Sequence, residues 1–398
     1  MTAACHRARR NNALNPCSEI VDHYNHDPYY SYAQTHFLRS NLLGFQMTTN
    51  SIQVALVTGK DSITIEEFPA PQPSQGKAVV DISYCGICGT DLHAFLSGEP
   101  YNPSICGHEW VGSVAAMSSS DNSHNIREGD RVAIGVATAC GQCPSCQRGD
   151  ASHCETVFAG ATGMHPNSAP HGGFAPSISF ALDRLYNVAP SLSDTQAAIL
   201  EPVTVAVHAV RRTGICLGDS VVVIGGGPIG LLTLQTAKAA GAGHLTLIEP
   251  EPLRRQLGES LGANLLIDPR SENSAEVINA ALGQTGADVV FECAGIAATI
   301  QTSVDLVRRG GKVSLVGVPN GASQINGAGW LVKEVNLTSS IAYLNEDFKI
   351  AQDLVVDGRI QTETLHTKTV GLQGMQEAFI ELASKPAQVK ILVDPRIG

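Results

Sequence analysis

Cys140, Cys143, Cys146 and Cys154 stand in the spacing C-x2-C-x2-C-x7-C, within the stretch CGQCPSCQRGDASHC. That stretch has too little apolar content to pack a core of its own. Four thiolates so close together form a tetrahedral zinc cage with every position filled, which is the chemistry of a structural site. Cys88 with His108 and Glu109 is a second set of ligand types, and three protein ligands leave a position open for a reacting oxygen. A third motif, Gly225-Gly226-Gly227-Pro228-Ile229-Gly230, follows an apolar run and opens a helical pattern. In that context G-x-G-x-x-G reads as a dinucleotide fingerprint. Two zinc ions per chain, one structural and one catalytic, together with a nicotinamide that exchanges hydride, are the parts needed for oxidation of an alcohol.

The glycines of the fingerprint have a physical task. Without side chains at Gly225, Gly227 and Gly230, the backbone N–H groups of the turn can approach a pyrophosphate, and the helix N-terminus stabilises its charge. Pro228 and Ile229 complete the turn. Glu249 ends the next apolar run, 19 residues after Gly230. A carboxylate there accepts from the ribose hydroxyls and repels a 2′-phosphate, so NAD is expected in preference to NADP. Arg254, shortly after it, is grouped with the coenzyme-binding residues. The same glycines could make a tight turn in an α/β protein that binds no nucleotide; the strand before them and the acid after them favour the coenzyme.

These motifs need elements to hold them. A chain of 398 residues exceeds what one core usually organises, and 43% hydrophobic residues supply two. Residues 1–46 are polar and without period, and read as a flexible extension; Glu19, Asp22 and Asp27 argue against a targeting peptide. Residues 47–190 alternate short β-type runs (KAVVDISYCG, HEWVGSVAAM, DRVAIGV) with Gly, Pro, Asn and Asp, the pattern of an antiparallel, barrel-like module whose motif residues sit on loops. From 191 to 341 strands alternate with helices, beginning with TQAAILEPVTVAVHAVRRTG as one helix and SVVVIG as the first strand. That alternation predicts a doubly wound parallel sheet, a Rossmann coenzyme domain of α/β class. Residues 342–398 read as a return to the first module.

Composition excludes several functions. Lys plus Arg is 26 against 37 Asp plus Glu, a net charge of −11 that repels nucleic acid and anionic membrane surfaces alike. The longest uncharged run, Ser220 to Ala237, is interrupted by Gly225-Gly226-Gly227-Pro228 and so is not expected to span a membrane. No secretory signal is expected, and the odd total of eleven cysteines, several at metal spacings, fits a reducing cytoplasm.

The run Cys85-Gly86-Ile87-Cys88-Gly89-Thr90-Asp91-Leu92-His93, with Gly107-His108-Glu109-Trp110-Val111-Gly112, resembles the medium-chain, zinc-containing alcohol dehydrogenase family over roughly residues 48–398. That resemblance implies a GroES-like antiparallel β-barrel catalytic domain beside the Rossmann domain. It implies that Cys88 and His108 bind the catalytic zinc, with Glu109 a ligand or near-ligand. Leu200-Glu201-Pro202-Val203 is similar to the sorbitol and threonine type members, placing Glu201 at the metal or on its water. The third ligand is thus Glu109 or Glu201, and Glu201 could also be a helix-start acid favoured by the macrodipole. Thr90 and His93 resemble the family's proton relay, and Asp91 a carboxylate accepting from His108. Cys85 with Cys88 alone would read as a redox pair; together with G-H-E-x-x-G they read as metal chemistry. Cys85, Cys106, Cys216 and Cys293 are expected to be ordinary buried thiols. Departures from the family pattern include Ser118 and Asp121, the longer loop before Gly129-Asp130-Arg131-Val132, and Gly172-Gly173-Phe174-Ala175-Pro176-Ser177.

The resulting expectation is an NAD-dependent, zinc-containing oxidoreductase acting on a secondary alcohol, polyol or diol, or on the matching ketone. A threonine or amino-alcohol dehydrogenase and a biosynthetic ketone reductase are the rival enzymes, and a non-catalytic zinc- and NAD-binding sensor is the rival of another class. A small-molecule substrate and a homodimer or homotetramer are the implied partners.

Overall fold

A computed structural model describes residues 51–99, 101–118, 124–384 and 388–397. The expected extension, residues 1–46, and Asp121 in the expected long loop lie outside the described residues. The chain from Asn50 to Gly398 forms one compact unit.

Two large sheets divide the work. The first has seven strands, in the order His366–Val370, Lys390–Val393, Lys77–Gly86, Glu109–Met117, Arg131–Ile134 and Leu185–Asn187, with Ser177–Ala181 also paired to Lys77–Gly86. Its pairings are antiparallel except that between His366–Val370 and Lys390–Val393. The last stretch of the chain therefore returns to the sheet built by its first part. Branched and aromatic residues of these strands and of the antiparallel hairpin Ser51–Gly59/Ser62–Pro69 close over one apolar core. Within it Trp110 meets Phe180 edge-on, ring centroids 5.1 Å apart.

The second sheet has six strands, all parallel, in the order Leu265–Ile267, His244–Ile248, Ser220–Ile224, Ala287–Glu292, Val307–Leu315 and Asn336–Ser339. Numbered by their own sequence this is 3-2-1-4-5-6, the doubly wound Rossmann order, whose direction reverses beside Ser220–Ile224. That strand is buried along its whole length, as a parallel strand covered on both faces must be. Helix Leu200–Thr213 buries Leu200, Val203, Ala206, Val207 and Val210, a 3.6-residue stripe, against helices Pro228–Ala239 and Asn345–Val356.

Four readings of local structure need correction. The segment read as one helix from Thr195 divides into Asp194–Ala197 and Leu200–Thr213. Val307-Arg308-Arg309-Gly310, which the run AATIQTSVDLVRRG reads as the end of a helix, opens a strand instead, because Val307 pairs with Ala287. Thr90, Asp91 and His93, expected on a loop, lie on helix Gly89–Ser97. Among the thiols expected to be buried, Cys216 is exposed and Cys293 half-buried, while Cys85 and Cys106 are buried. No helix among the described residues is long and apolar enough to cross a membrane.

Candidate active site and metal centres

Cys88 stands at the N-cap of helix Gly89–Ser97, where its sulfur accepts from the Thr90 amide and Asp91 reaches back to the Cys88 amide, a reciprocal capping box. The cap fixes the direction of the Cys88 side chain. His108 arrives at the start of strand Glu109–Met117, which pairs with the end of Lys77–Gly86. Strand pairing thus delivers the two halves of the site to one point, and the ligand atoms of Cys88, His108 and Glu109 all lie within 4.8 Å of one another. A thiolate, an imidazole and a carboxylate at that spacing fit a zinc ion with one position left for substrate.

The electrostatics agree with a cation there. Burial alone would lower the pKa of His108, but the Cys88 sulfur, Asp91 and Glu201 together raise it well above the ordinary imidazole value. A site this negative favours a positive guest. His108 Nδ1 donates to the Ile105 carbonyl at 2.9 Å. A carbonyl only accepts, so the proton sits on Nδ1 and the Nε2 lone pair is free for metal. This corrects the expected role of Asp91: its carboxylate is 4.0 Å from His108 Nδ1 and instead accepts from the amides of Cys88 at 2.9 Å and Gly107 at 3.2 Å. Asp91 braces the two metal loops and leaves the imidazole to a backbone carbonyl.

Glu109 is almost fully buried and forms an ion pair at 2.6 Å with Lys390, a residue that no motif or spacing singles out. Lys390 comes from the last strand and also donates to the Ile87 carbonyl at 3.0 Å. An apolar-flanked lysine 281 residues away in sequence offers no periodicity that could mark it as a partner. Space for the carboxylate is made by Gly86, where a Cβ would lie 2.3 Å from Glu109 Oε2. Glu201, in the first turn of helix Leu200–Thr213, is half-buried beside this group, and desolvation pushes its carboxyl up to about 7 against the pull of His108. Tyr343, also unanticipated, is buried with its hydroxyl toward Glu201. Thr90 Oγ1 is hydrogen-bonded to the Cys88 sulfur at 3.7 Å, and His93 is exposed one turn further along the same helix.

The four-cysteine lobe forms as its spacing requires. The ligand sulfurs of Cys140, Cys143, Cys146 and Cys154 lie within 4.8 Å of one another. Backbone N–H groups point at them: Cys140 N donates to Cys154 Sγ and Cys143 N to Cys140 Sγ, both at 3.3 Å. Amide donors from Gln142 and Cys143 hold the Cys140 thiol down at about 6, whereas desolvation pushes Cys146 up to about 12. Protons shared unevenly among four adjacent sulfurs are what a divalent ion displaces.

At the switch point of the parallel sheet, Gly225 follows strand Ser220–Ile224 with φ of +101°, and Gly227 caps helix Pro228–Ala239 with Pro228 in its first turn. A Cβ on Gly230 would lie 1.8 Å from the Gly225 carbonyl, so this helix can approach the turn only with glycine there. Ile229 lies half-buried in that first turn. Glu249 is buried, accepting from Gly226 N at 2.5 Å and Glu251 N at 2.8 Å, so the acid lies directly against the glycine turn. Arg254 donates to the Gln388 carbonyl at 2.8 Å and leaves its buried Nε without a partner.

Comparison with known proteins places this geometry. Residues 74–190 match the model of an alcohol dehydrogenase GroES-like domain and residues 228–357 that of a zinc-binding dehydrogenase. A sorbitol dehydrogenase of Bacillus subtilis is 31% identical over 352 residues, 87% of this chain and 98% of the relative. The structure of 2R,3R-butanediol dehydrogenase from Bacillus subtilis superposes with a TM-score of 0.75 at 29% identity, covering 87% of this chain and all (100%) of that one. A protein of Sinorhizobium meliloti described as a zinc-binding dehydrogenase, bound to NADP, gives 0.76 at 29% identity over 87% of this chain and 100% of its own.

Proposed function

This chain belongs to the zinc-containing, medium-chain alcohol dehydrogenase family, in its polyol branch, and from that premise we propose that it oxidises a polyol or vicinal diol at a secondary hydroxyl, or reduces the matching ketone. The observation that carries the reading is the convergence of Cys88, His108 and Glu109, with Glu201 half-buried beside them. When bound, zinc supplies a Lewis acid that lowers the pKa of the substrate hydroxyl, and NAD supplies the hydride acceptor.

The chain's own residues do the rest. Cys88, His108 and Glu109 hold the metal, and Lys390 anchors one Glu109 oxygen so that the other is aimed. Glu201 accepts from the hydroxyl next to the one that reacts, which favours diols over simple alcohols. Thr90 takes the alcohol proton and His93, exposed on the same face three residues on, passes it to solvent. Gly225, Gly227 and Gly230 receive the pyrophosphate, with Pro228 and Ile229 shaping the turn, and Glu249 with Arg254 takes the adenosine ribose. The carboxylate of Glu249 supports NAD over NADP, although the Sinorhizobium meliloti protein binds NADP. Cys140, Cys143, Cys146 and Cys154 hold the structural zinc. Residues 191–341 are assigned to the coenzyme domain and 47–190 with 342–398 to the catalytic one, a division supported by the membership of the two sheets. The gathering of Cys140, Cys143, Cys146 and Cys154 as a metal-binding set supports a reducing cytoplasm. A homodimer is inferred from the exposed edge of the parallel sheet.

The test is metal counting on the purified protein together with NADH formation from a panel of polyols, diols and amino alcohols, run with both coenzymes. Two zincs per chain, diol-dependent NADH, and loss of activity with one zinc in Cys88→Ser are expected. A Cys88→Ser protein that keeps both its metal and its turnover would sink the reading.

A further inference from the structure

We propose that Tyr101 is a positioning residue for the catalytic metal, holding the loops that supply Cys88 and His108 in one fixed arrangement. The inference rests on the reading of Cys88, His108 and Glu109 as the catalytic zinc site. Its observations are independent of any substrate.

The Tyr101 hydroxyl donates to Asp91 Oδ1 at 2.7 Å and reaches the Ile105 carbonyl at 3.4 Å. Each of those acceptors is itself tied to a metal ligand. Asp91 accepts from the amide of Cys88 at 2.9 Å and from that of Gly107, the residue before His108, at 3.2 Å. Ile105 O accepts from His108 Nδ1 at 2.9 Å. One phenol therefore touches both the carboxylate that joins the two loops and the carbonyl that sets the imidazole tautomer. The ring is held in turn by the barrel core, against which it packs, so the hydroxyl has a rigid base.

The strength of the link follows from where Asp91 sits. Its carboxylate is fully buried, and a buried carboxylate with only two backbone donors is short of partners. Without the phenol, Asp91 would have reason to turn toward other donors, and both loops would loosen together. Outer partners of metal ligands, when removed, typically cost 10–100-fold in metal affinity. The four-cysteine cage, which Tyr101 does not touch, provides a control inside the same molecule.

The experiment is release of zinc to a chromogenic chelator from wild-type and Tyr101→Phe proteins loaded with two zincs each. Cys88→Ser, which lacks the catalytic metal, identifies the phase that belongs to the cage. In Tyr101→Phe the catalytic phase is expected to quicken about 10–100-fold while the cage phase and the melting temperature stay at wild-type values. Cobalt placed in the catalytic site of the variant is expected to give a shifted visible spectrum, a response that mere loosening of the barrel would not produce. Two unchanged phases overturn the inference, and so do two phases quickened in step with a lower melting temperature, which would make Tyr101 a packing residue only. A wild-type protein that holds zinc in the cage alone overturns the functional reading itself and this inference with it.

Discussion

The pair Glu109 and Lys390 raises a question that can be decided at the scale of single residues. Two charges taken out of water are costly, and a buried ion pair adds stability only when each member is fully matched. Here Lys390 Nζ meets Glu109 Oε2 and the Ile87 carbonyl, and Glu109, the Cys88 sulfur and Glu201 together outweigh the desolvation of the ammonium, so its pKa is raised. If Glu109 is a metal ligand, zinc is a second counter-charge for the same carboxylate. Lys390→Met should then cost about 3–5 kcal/mol in chelator-treated protein, where Glu109 is stranded, and clearly less in the zinc-loaded form. Urea unfolding of both proteins with and without zinc measures the difference. An equal loss in the two states would mean that the metal does not lean on Glu109, and Glu201 would become the third ligand.

At the scale of elements, the legible parts were those where one local pattern serves one local purpose. The cysteine spacing, the glycine turn after an apolar strand, and the alternation from 191 onward needed no partner from elsewhere in the chain. Helix Gly89–Ser97 escapes a reading of the sequence because it is only nine residues long and opens with glycine, a poor helix former. Lys390 and Tyr343 escape it because each acts across chain returns that no spacing encodes, and Tyr101 because its nearby partners, Asp91 and Ile105, belong to no repeating pattern. Another such long-range tie joins helices Leu200–Thr213 and Asn345–Val356. There Asp347, fully buried, accepts from His208 Nδ1 and the Leu344 amide, both at 2.8 Å, and pairs with Arg211. Burial works to raise its pKa, but His208, Leu344 and Arg211 outweigh burial and hold it below the ordinary carboxylate value. A carboxyl depressed in the folded state contributes stability in full above its unfolded pKa of about 4, and that contribution is lost as pH falls through the folded value. Asp347→Asn should therefore lower stability by roughly 1.5–3 kcal/mol near neutral pH, with the gap closing toward about pH 3. Melting curves of the two proteins across that range provide the check; a gap that persists in acid would assign the effect to shape instead of charge.

For the whole molecule, the open question is what covers the free edge of the parallel sheet. Strand Asn336–Ser339 ends the strand order and pairs on one side only among the described residues, with Val307–Leu315. An uncovered edge is a template for another chain, and proteins that stay monomeric blunt it with charge, proline or a bulge. This edge is instead flanked by Leu331 at 79%, Val332 at 70% and Ile341 at 71% exposure. The net charge of −11 would repel a second copy if the contact were polar, so the apolar stripe is where two copies can meet at least electrostatic cost. A two-fold axis past this edge would bring the same stripe of each copy together, the self-complementary arrangement that closes at a dimer. Leu331→Asp with Ile341→Asp should then convert a dimer into a folded monomer that keeps both zincs, read by light scattering over a concentration series. A wild-type protein that scatters as a monomer, or a doubly substituted one that still scatters as a dimer, would remove this edge as the contact. Because the stripe lies on the opposite side of the strand order from Glu249, loss of the dimer should leave the affinity for NAD unchanged, and titration of NAD into the monomeric variant tests that separation directly.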